Sequence, residues 1–217
     1  MKKKYWDAGI AGIDKNFDFS NEIFEAIDFS LYDFSSSNLD EAKFISCQFY
    51  SKDSREGCSF RNGSLRETSF IQCDLSLASF FNADVFGLEL INCRLLGANF
   101  INARFMNYIS NNKWFCAGKI QGCNLSDAVL QGIILEKCDL RENRWNNTDI
   151  RGAVFKGADL SGGEFSDIIW TDADFTYSDL RHSLLQGLDL RKVNLTGVKM
   201  DTYQISSLIS QLGIIMS

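Results

Sequence analysis

The chain carries a beat of five. Leu140, Trp145, Ile150, Phe155, Leu160, Phe165 and Trp170 place a large apolar residue at every fifth position. Helices repeat every 3.6 residues and strands every 2, so neither holds such residues on one side. Five helical steps of about 100° rotate the large residues by roughly 140° and smear them around the axis. A straight strand sends them to alternate faces, because five is odd. The spacing closes only where the chain turns a corner in every repeat. Four right-angle corners make a square coil of about 20 residues, stacked on the next at the strand spacing of roughly 4.8 Å.

The beat runs from Phe19 to Phe49, from Phe60 to Phe105 and from Ile120 to Met200. It covers 34 large positions, 14 of them Phe and 14 Leu, which only a continuous interior can house. Two residues earlier the side chain is usually small, as at Ala42, Gly63, Ala78, Ala98, Ala128, Ala153, Ala158 and Ser178. The residue between is often Asp or Asn, as at Asp74, Asn99, Asn124, Asp139, Asp159 and Asp179. Small–polar–large is a strand alternation with both apolar members pointing inward. These repeats predict about 8.5 coils and a rod roughly 40 Å long at that spacing. The fold class expected is an all-β solenoid, a quadrilateral β-helix. Proline is absent from all 217 residues, as a chain of paired ladders requires.

The beat breaks twice. Phe49 to Phe60 is eleven residues, so Tyr50, Ser51, Lys52, Asp53, Ser54, Arg55, Glu56 and Gly57 form an excursion. Between Phe105 and Ile120 the phase survives, yet Ser110 falls on a large position and Lys113 on a small one. Both would bury badly, so a second loop leaves the coil within about 105–116. It includes Met106, Asn107, Tyr108, Ile109, Ser110, Asn111, Asn112 and Lys113. Exposed aromatics and Met are what a binding surface uses, whereas Trp114 and Phe115 are expected to tuck against the coil. Beyond Met200 the beat ends, and Tyr203, Leu208, Ile209, Leu212 and Ile215 fit a short amphipathic helix begun by Asp201 or Thr202. Such a helix either plugs the open end of the solenoid or joins two molecules. The domains expected are a lead-in over 1–12, a repeat body over 13–200 and a helix over 201–217.

Charge and motifs exclude several classes. A formal charge of −6 and the absence of a basic stripe argue against a nucleic-acid binder. No 18-residue apolar run suggests a membrane span, and MKKKYWDAGIAG lacks the apolar core of a secretory signal, so a cytoplasmic location is expected. Cys47, Cys58, Cys73, Cys93, Cys123 and Cys138 fall on the small inward position and replace Ala there. Cys116 alone breaks that rule, and packing at the loop base is expected of it. His182, the one histidine, lies outward. No phosphate loop, nucleophile elbow, zinc-protease or dinucleotide motif is present, so neither catalysis, a cofactor nor a metal is expected.

The beat resembles that of the pentapeptide-repeat family. CQFYSKDSREGCSF (Cys47–Phe60), NKWFC (Asn112–Cys116), EKCDLRENRW (Glu136–Trp145), DLSGGEFS (Asp159–Ser166) and YQISSLISQLGI (Tyr203–Ile214) narrow the resemblance to the Qnr subfamily of quinolone-resistance proteins, from about Ile13 onward. The resemblance implies a right-handed β-helix and a homodimer joined end to end through the terminal helix. It also implies a non-enzymatic partner of DNA gyrase and topoisomerase IV that protects them from quinolone poisoning. An acidic rod of this size mimics duplex DNA, and the two loops would discriminate the partner. A pentapeptide-repeat scaffold for a different protein is the alternative.

Overall fold

The structure, a computed structural model, describes residues 18–110, 113–210 and 213. The expected lead-in, and the start expected for the repeat body, lie outside the described residues.

Each corner is a tight turn built from local chemistry. The carbonyl of a large residue accepts the amide three residues on, as from Ala42 to Leu39 (2.9 Å) and from Gly63 to Phe60 (3.1 Å). At most corners the residue two after the large one has positive φ, such as Glu41 (59°), Asn62 (56°) and Gly152 (70°), the mark of a type II turn. A non-glycine residue there costs about 1–2 kcal/mol. The same residue's amide offsets this by donating to the next coil, as Glu41 does to Arg66 (2.8 Å) and Asn62 to Phe81 (3.1 Å). The Asp or Asn preceding the large residue completes the corner. Asp159 Oδ1 accepts the amide and hydroxyl of Ser161 at 3.0 and 2.7 Å, an Asx turn.

Stacking then builds the core. Parallel strands β1 (Ile23–Glu25), β2 (Lys43–Ile45), β5 (Ser69–Ile71), β6 (Leu88–Ile91) and β9 (Gly118–Gln121) lie side by side in that order. A second face orders β10 (Arg144–Asn146), β11 (Glu164–Ser166) and β12 (Leu184–Leu185). Register sets large residue over large residue: Phe24, Phe44, Phe70, Leu90 and Ile120 form one column. Rings accordingly stack along the axis, Phe60 on Phe80 at 5.0 Å and Phe80 on Phe100 at 4.7 Å. Every large position from Phe19 to Leu180 is buried, while Leu185, Leu190, Leu195 and Met200 in the last coil are half-buried.

The same register gives the size of each excursion. Arg144 pairs with Glu164, a separation of 20, whereas Phe44 pairs with Phe70 and Leu90 with Ile120, separations of 26 and 30. Six residues leave the coil at the first loop and ten at the second.

One inward column is polar. Cys47, Cys73, Cys93, Cys123, Asn143, Gly163 and Ser183 stand above one another, and Asn143 takes part in three buried hydrogen bonds. Its Oδ1 accepts from the Cys123 amide (2.8 Å), and its Nδ2 donates to the Ile120 and Leu140 carbonyls (2.6 and 2.9 Å). The column ends on helix α1 (Thr202–Ser210), where buried Gln204 donates to the carbonyls of Leu180 (2.8 Å) and Ser183 (2.7 Å). The Asp201 carboxylate accepts the His182 amide (2.6 Å), which in earlier coils would have gone to a backbone carbonyl. The helix thus closes the last coil by imitating a further one. Gln204→Ala takes its partner from the Ser183 carbonyl and leaves the Leu180 carbonyl only the Ser183 amide (3.3 Å), and should cost about 1–3 kcal/mol. Hydrogen exchange should quicken over the last coil first and leave the aromatic stack unchanged.

Candidate interaction surface

The first loop is a hairpin of β3 (Tyr50–Ser51) and β4 (Glu56–Gly57), antiparallel, with Tyr50 opposite Gly57. The Cys58 amide closes its base on the Phe49 carbonyl (2.8 Å). Ser51 is buried, Tyr50 and Gly57 are half-buried, and Lys52, Asp53, Ser54, Arg55 and Glu56 are exposed. Gly57 lies so close to the next coil that a Cβ there would collide with the backbone of Ser76, Leu77 and Ala78. The loop therefore leaves the rod at a defined angle, with its charges outward.

The second loop is a hairpin of β7 (Met106–Ser110) and β8 (Lys113–Cys116), with Asn107 opposite Phe115, Tyr108 opposite Trp114 and a bulge between Tyr108 and Ser110. The Ala117 amide closes it on the Phe105 carbonyl (3.1 Å). Tyr108 and Ile109 are 63% and 70% exposed, large apolar groups that no part of the rod covers. Met106 and Asn107 are half-buried, Ser110 and Lys113 exposed. Asn111 and Asn112 lie outside the described residues. Of the two aromatics expected to tuck in, Phe115 meets buried Phe86 edge-on at 5.2 Å, and Arg66 covers the same Phe86 ring at 4.8 Å. Both Phe115 and Trp114 still count as exposed.

The loops leave opposite sides of the square. The first departs between the second and third corners counted from Phe44, and the second between the fourth corner and the first of the following coil. About two and a half coils separate them, roughly 12 Å along the axis.

Charge is less uniform than rows of outward Asp and Glu suggest. In the later coils several of these Asp residues both serve the corner and bind an Arg two residues on, while Asp159 and Asp174 have Ser161 and Thr176 there. Arg141 meets Asp139 at 2.8 Å, Arg151 meets Asp149 at 2.6 Å, and Arg181 meets Asp179 at 2.6 Å. These guanidinium hydrogen bonds hold the three carboxyls below the usual carboxylate range. Exposed pairs of this kind add little stability, but they neutralise their faces. Residues 18–42, by contrast, hold Asp18, Glu22, Glu25, Asp28, Asp33, Asp40 and Glu41 without a single Lys or Arg. The net acidity of the rod is concentrated in its first coils.

At the other end, Leu208 is buried against the last coil, and Ile209 is half-buried. Leu208 belongs to the plug itself. Tyr203 (59%) and Ile205 (43%) are exposed on the two flanks of the helix, and Leu184 (64%) lines a cleft with Tyr203. Leu212 and Ile215 lie outside the described residues. Among the described residues no helix is long and apolar enough to cross a membrane. All seven cysteines are free thiols, six of them buried as their inward positions require. Burial pushes the Cys58 thiol up to about 12.

Comparison with known proteins matches this geometry to a family. A family model described as pentapeptide repeats fits residues 123–167 and 171–201 in eight copies. The pentapeptide repeat protein QnrB4 of Escherichia coli is 46% identical over 143 residues, 66% of either chain. The quinolone resistance pentapeptide repeat protein QnrB96 of Scandinavium goeteborgense is 47% identical over 118 residues, 54% of this chain and 55% of that one. A pentapeptide repeat protein of Vibrio parahaemolyticus is 44% identical over 108 residues, 50% of each. The match thus spans half to two thirds of these curated relatives. The solved structure of QnrB1, a plasmid-mediated fluoroquinolone resistance protein, superposes with a TM-score of 0.87 at 44% identity, covering 94% of this chain and 95% of that one. At that identity and coverage, the chain belongs to the Qnr-type pentapeptide-repeat proteins.

Proposed function

We propose that this protein binds the type II topoisomerases DNA gyrase and topoisomerase IV and protects them from quinolone poisoning, without chemistry on the drug. The observation that carries this reading is the likeness to QnrB1, a fluoroquinolone resistance protein, over 94% of the chain. The rod supplies a smooth, acidic surface of duplex dimensions, complementary to a basic DNA-binding saddle. Its unneutralised charge lies at the first coils, so DNA mimicry acts chiefly through that end. The second hairpin supplies Tyr108 and Ile109 as apolar anchors of the kind that dominate protein interfaces. The partners are proteins of the cytoplasm, and no direct contact with nucleic acid is needed. The decisive experiment is a gyrase supercoiling assay with a fluoroquinolone. Purified protein should restore supercoiling at drug concentrations that otherwise abolish it. A folded protein that leaves the inhibition curve unmoved would assign the rod to a different partner.

The working unit is a homodimer through the terminal helices, which doubles the rod to about 80–100 Å at the coil spacing. Tyr203, Ile205 and Leu184 are the contact surface available, since Leu208 already serves the plug. Ile205→Glu should place an unpaired charge in that contact. Sedimentation should then report monomers, with the melting temperature of the coil unchanged. A dimer that persists would move the contact elsewhere.

A further inference from the structure

The last coil is laddered on two of its four faces. Phe165 pairs with Leu185 on the face of β10, β11 and β12. On the neighbouring face Leu180 donates to the Lys199 carbonyl and Lys199 to that of Ser178, both at 2.9 Å. Residues 187–195 span the other two faces, and among the described residues they make no hydrogen bond to another coil. Two coils earlier the same positions are tied on both sides. Asp149 donates to the Ala128 carbonyl (2.9 Å), its own carbonyl accepts from Leu130 (2.8 Å), and Val154 donates to Ile133 (2.8 Å).

Size explains the lost ladder. The small positions of one of these faces run Cys58, Ala78, Ala98, Ala128, Thr148, Ile168 and Leu188. Ile168 and Trp170 are both buried where earlier coils set Ala beside Phe or Leu. Overpacking of this kind is relieved by displacement of backbone. Ile169 stands exposed, and among the described residues no bond joins the Ile150 amide to its carbonyl as Leu130 is joined to Asp149. A cleft of about 300 Å³ opens between Ile150 and Ile169. The coil above stacks on this displaced strand and finds no ladder to join.

We propose that residues 187–195 are a strap that swings off the rod as one unit while the terminal helix stays docked. The strap is bonded within itself. Asp189 accepts the Arg191 amide on its carboxylate and the Lys192 amide on its carbonyl, both at 3.0 Å, and its carboxylate also holds the Arg191 guanidinium (2.9 Å). It pivots at Gly187, whose φ is 76°, and at Thr196, whose carbonyl rejoins the coil beneath through the Tyr177 amide (2.9 Å). Only apolar burial holds it down, complete at Leu188 and Val193 and partial at Leu190 and Leu195. The helix is not carried along, because Gln204 and Asp201 bond to Leu180, His182 and Ser183, between the two laddered faces. In register with Phe165 and Leu185, Leu190 stands over Trp170 and Leu195 over Phe175, so opening bares two buried rings. The end of the rod is thereby stiff on two faces and yielding on two. For paired rods this permits a bend toward one side, a consequence that rests on the homodimer proposed above, whereas the opening itself does not.

The test is hydrogen exchange on the folded, full-length protein, read amide by amide by NMR. Leu190, Val193 and Leu195 should exchange about 100-fold faster than Leu180 and Lys199, with one shared dependence on low denaturant, because a unit opens at once. The His182 amide, held by Asp201 on the helix, should exchange with Leu180 and not with the strap. Ile168→Ala restores the small residue of earlier coils and should slow strap exchange about tenfold by relieving the overpacking. A simple cavity would quicken it instead. Ile168→Val should shift exchange the same way by less, and it serves where the alanine variant does not fold. Strap amides as slow as Leu180, or three separate denaturant dependences, would overturn the proposal. So would a His182 amide that exchanges with the strap, or strap exchange that slows in neither variant.

Discussion

Excising Asn107 to Cys116 should leave a rod that melts within a few degrees of the parent and no longer protects gyrase. The cut removes the ten residues by which that coil exceeds 20 and restores a step of five from Phe105 to Ile120. Met106, Ala117, Gly118 and Lys119 then make an ordinary corner, with Gly118 at the small position. Shortening a loop changes closure entropy only slightly, about 0.6 kcal/mol per doubling. Loss of the Phe115–Phe86 contact removes about 0.5–1.5 kcal/mol more, and at roughly 2–4 °C per kcal/mol the melting temperature barely moves. Protection falls because Tyr108 and Ile109 go with the hairpin. Mimicry by charge alone predicts the reverse, since the acidic first coils remain in place. A well-folded excision variant with full activity in the supercoiling assay would locate function on the rod and not on the loop.

The largest stability effect is expected at Trp145. This side chain is fully buried, stacked on Phe165 at 5.6 Å and edge-on to Phe155 at 5.8 Å. Trp145→Ala opens a cavity that the flanking rings cannot fill and should cost about 3–5 kcal/mol, a fall on the order of 10 °C in melting temperature. Trp145→Phe should cost far less. The indole Nε1 is buried without a hydrogen-bond partner, so its removal relieves an unsatisfied donor, and a phenyl ring can stack as Phe80 does on Phe100. Calorimetry on the two variants separates volume from polarity. Equal losses would mean that the indole edge, and not ring stacking, holds this coil.

The coil was legible because its physics is one-dimensional. A large residue every fifth place, with a small one two before it, has one solution once helix and straight strand are excluded. The first hairpin was legible as a phase slip. The length of the second was not, because fifteen residues from Phe105 to Ile120 fit three ordinary repeats as well as one repeat plus ten extruded residues. Only the register of Leu90 with Ile120 distinguishes them. The Asp before each large residue reads in sequence as outward charge. In the structure it accepts an amide two residues on and, where that residue is Arg, holds the guanidinium, as Asp139 does with Arg141, and no periodicity displays that bond. The terminal helix was found through its apolar residues, which drew notice to Leu208 as a contact. Gln204, a polar residue whose partners are backbone carbonyls 20 or more positions away, carried no signal.

Gln204 and Asp201 also set a boundary on growth. A parallel coil is a template for another coil: each exposed ladder invites an identical strand, and fibrils arise when that invitation is accepted without limit. Here the invitation is answered once, by an amide and a carboxylate from the chain's own helix, in the places where a ninth turn would have put backbone. The polypeptide is thereby a counted object, a ruler with a last mark, and a variant lacking that mark has the makings of a seed for polymer.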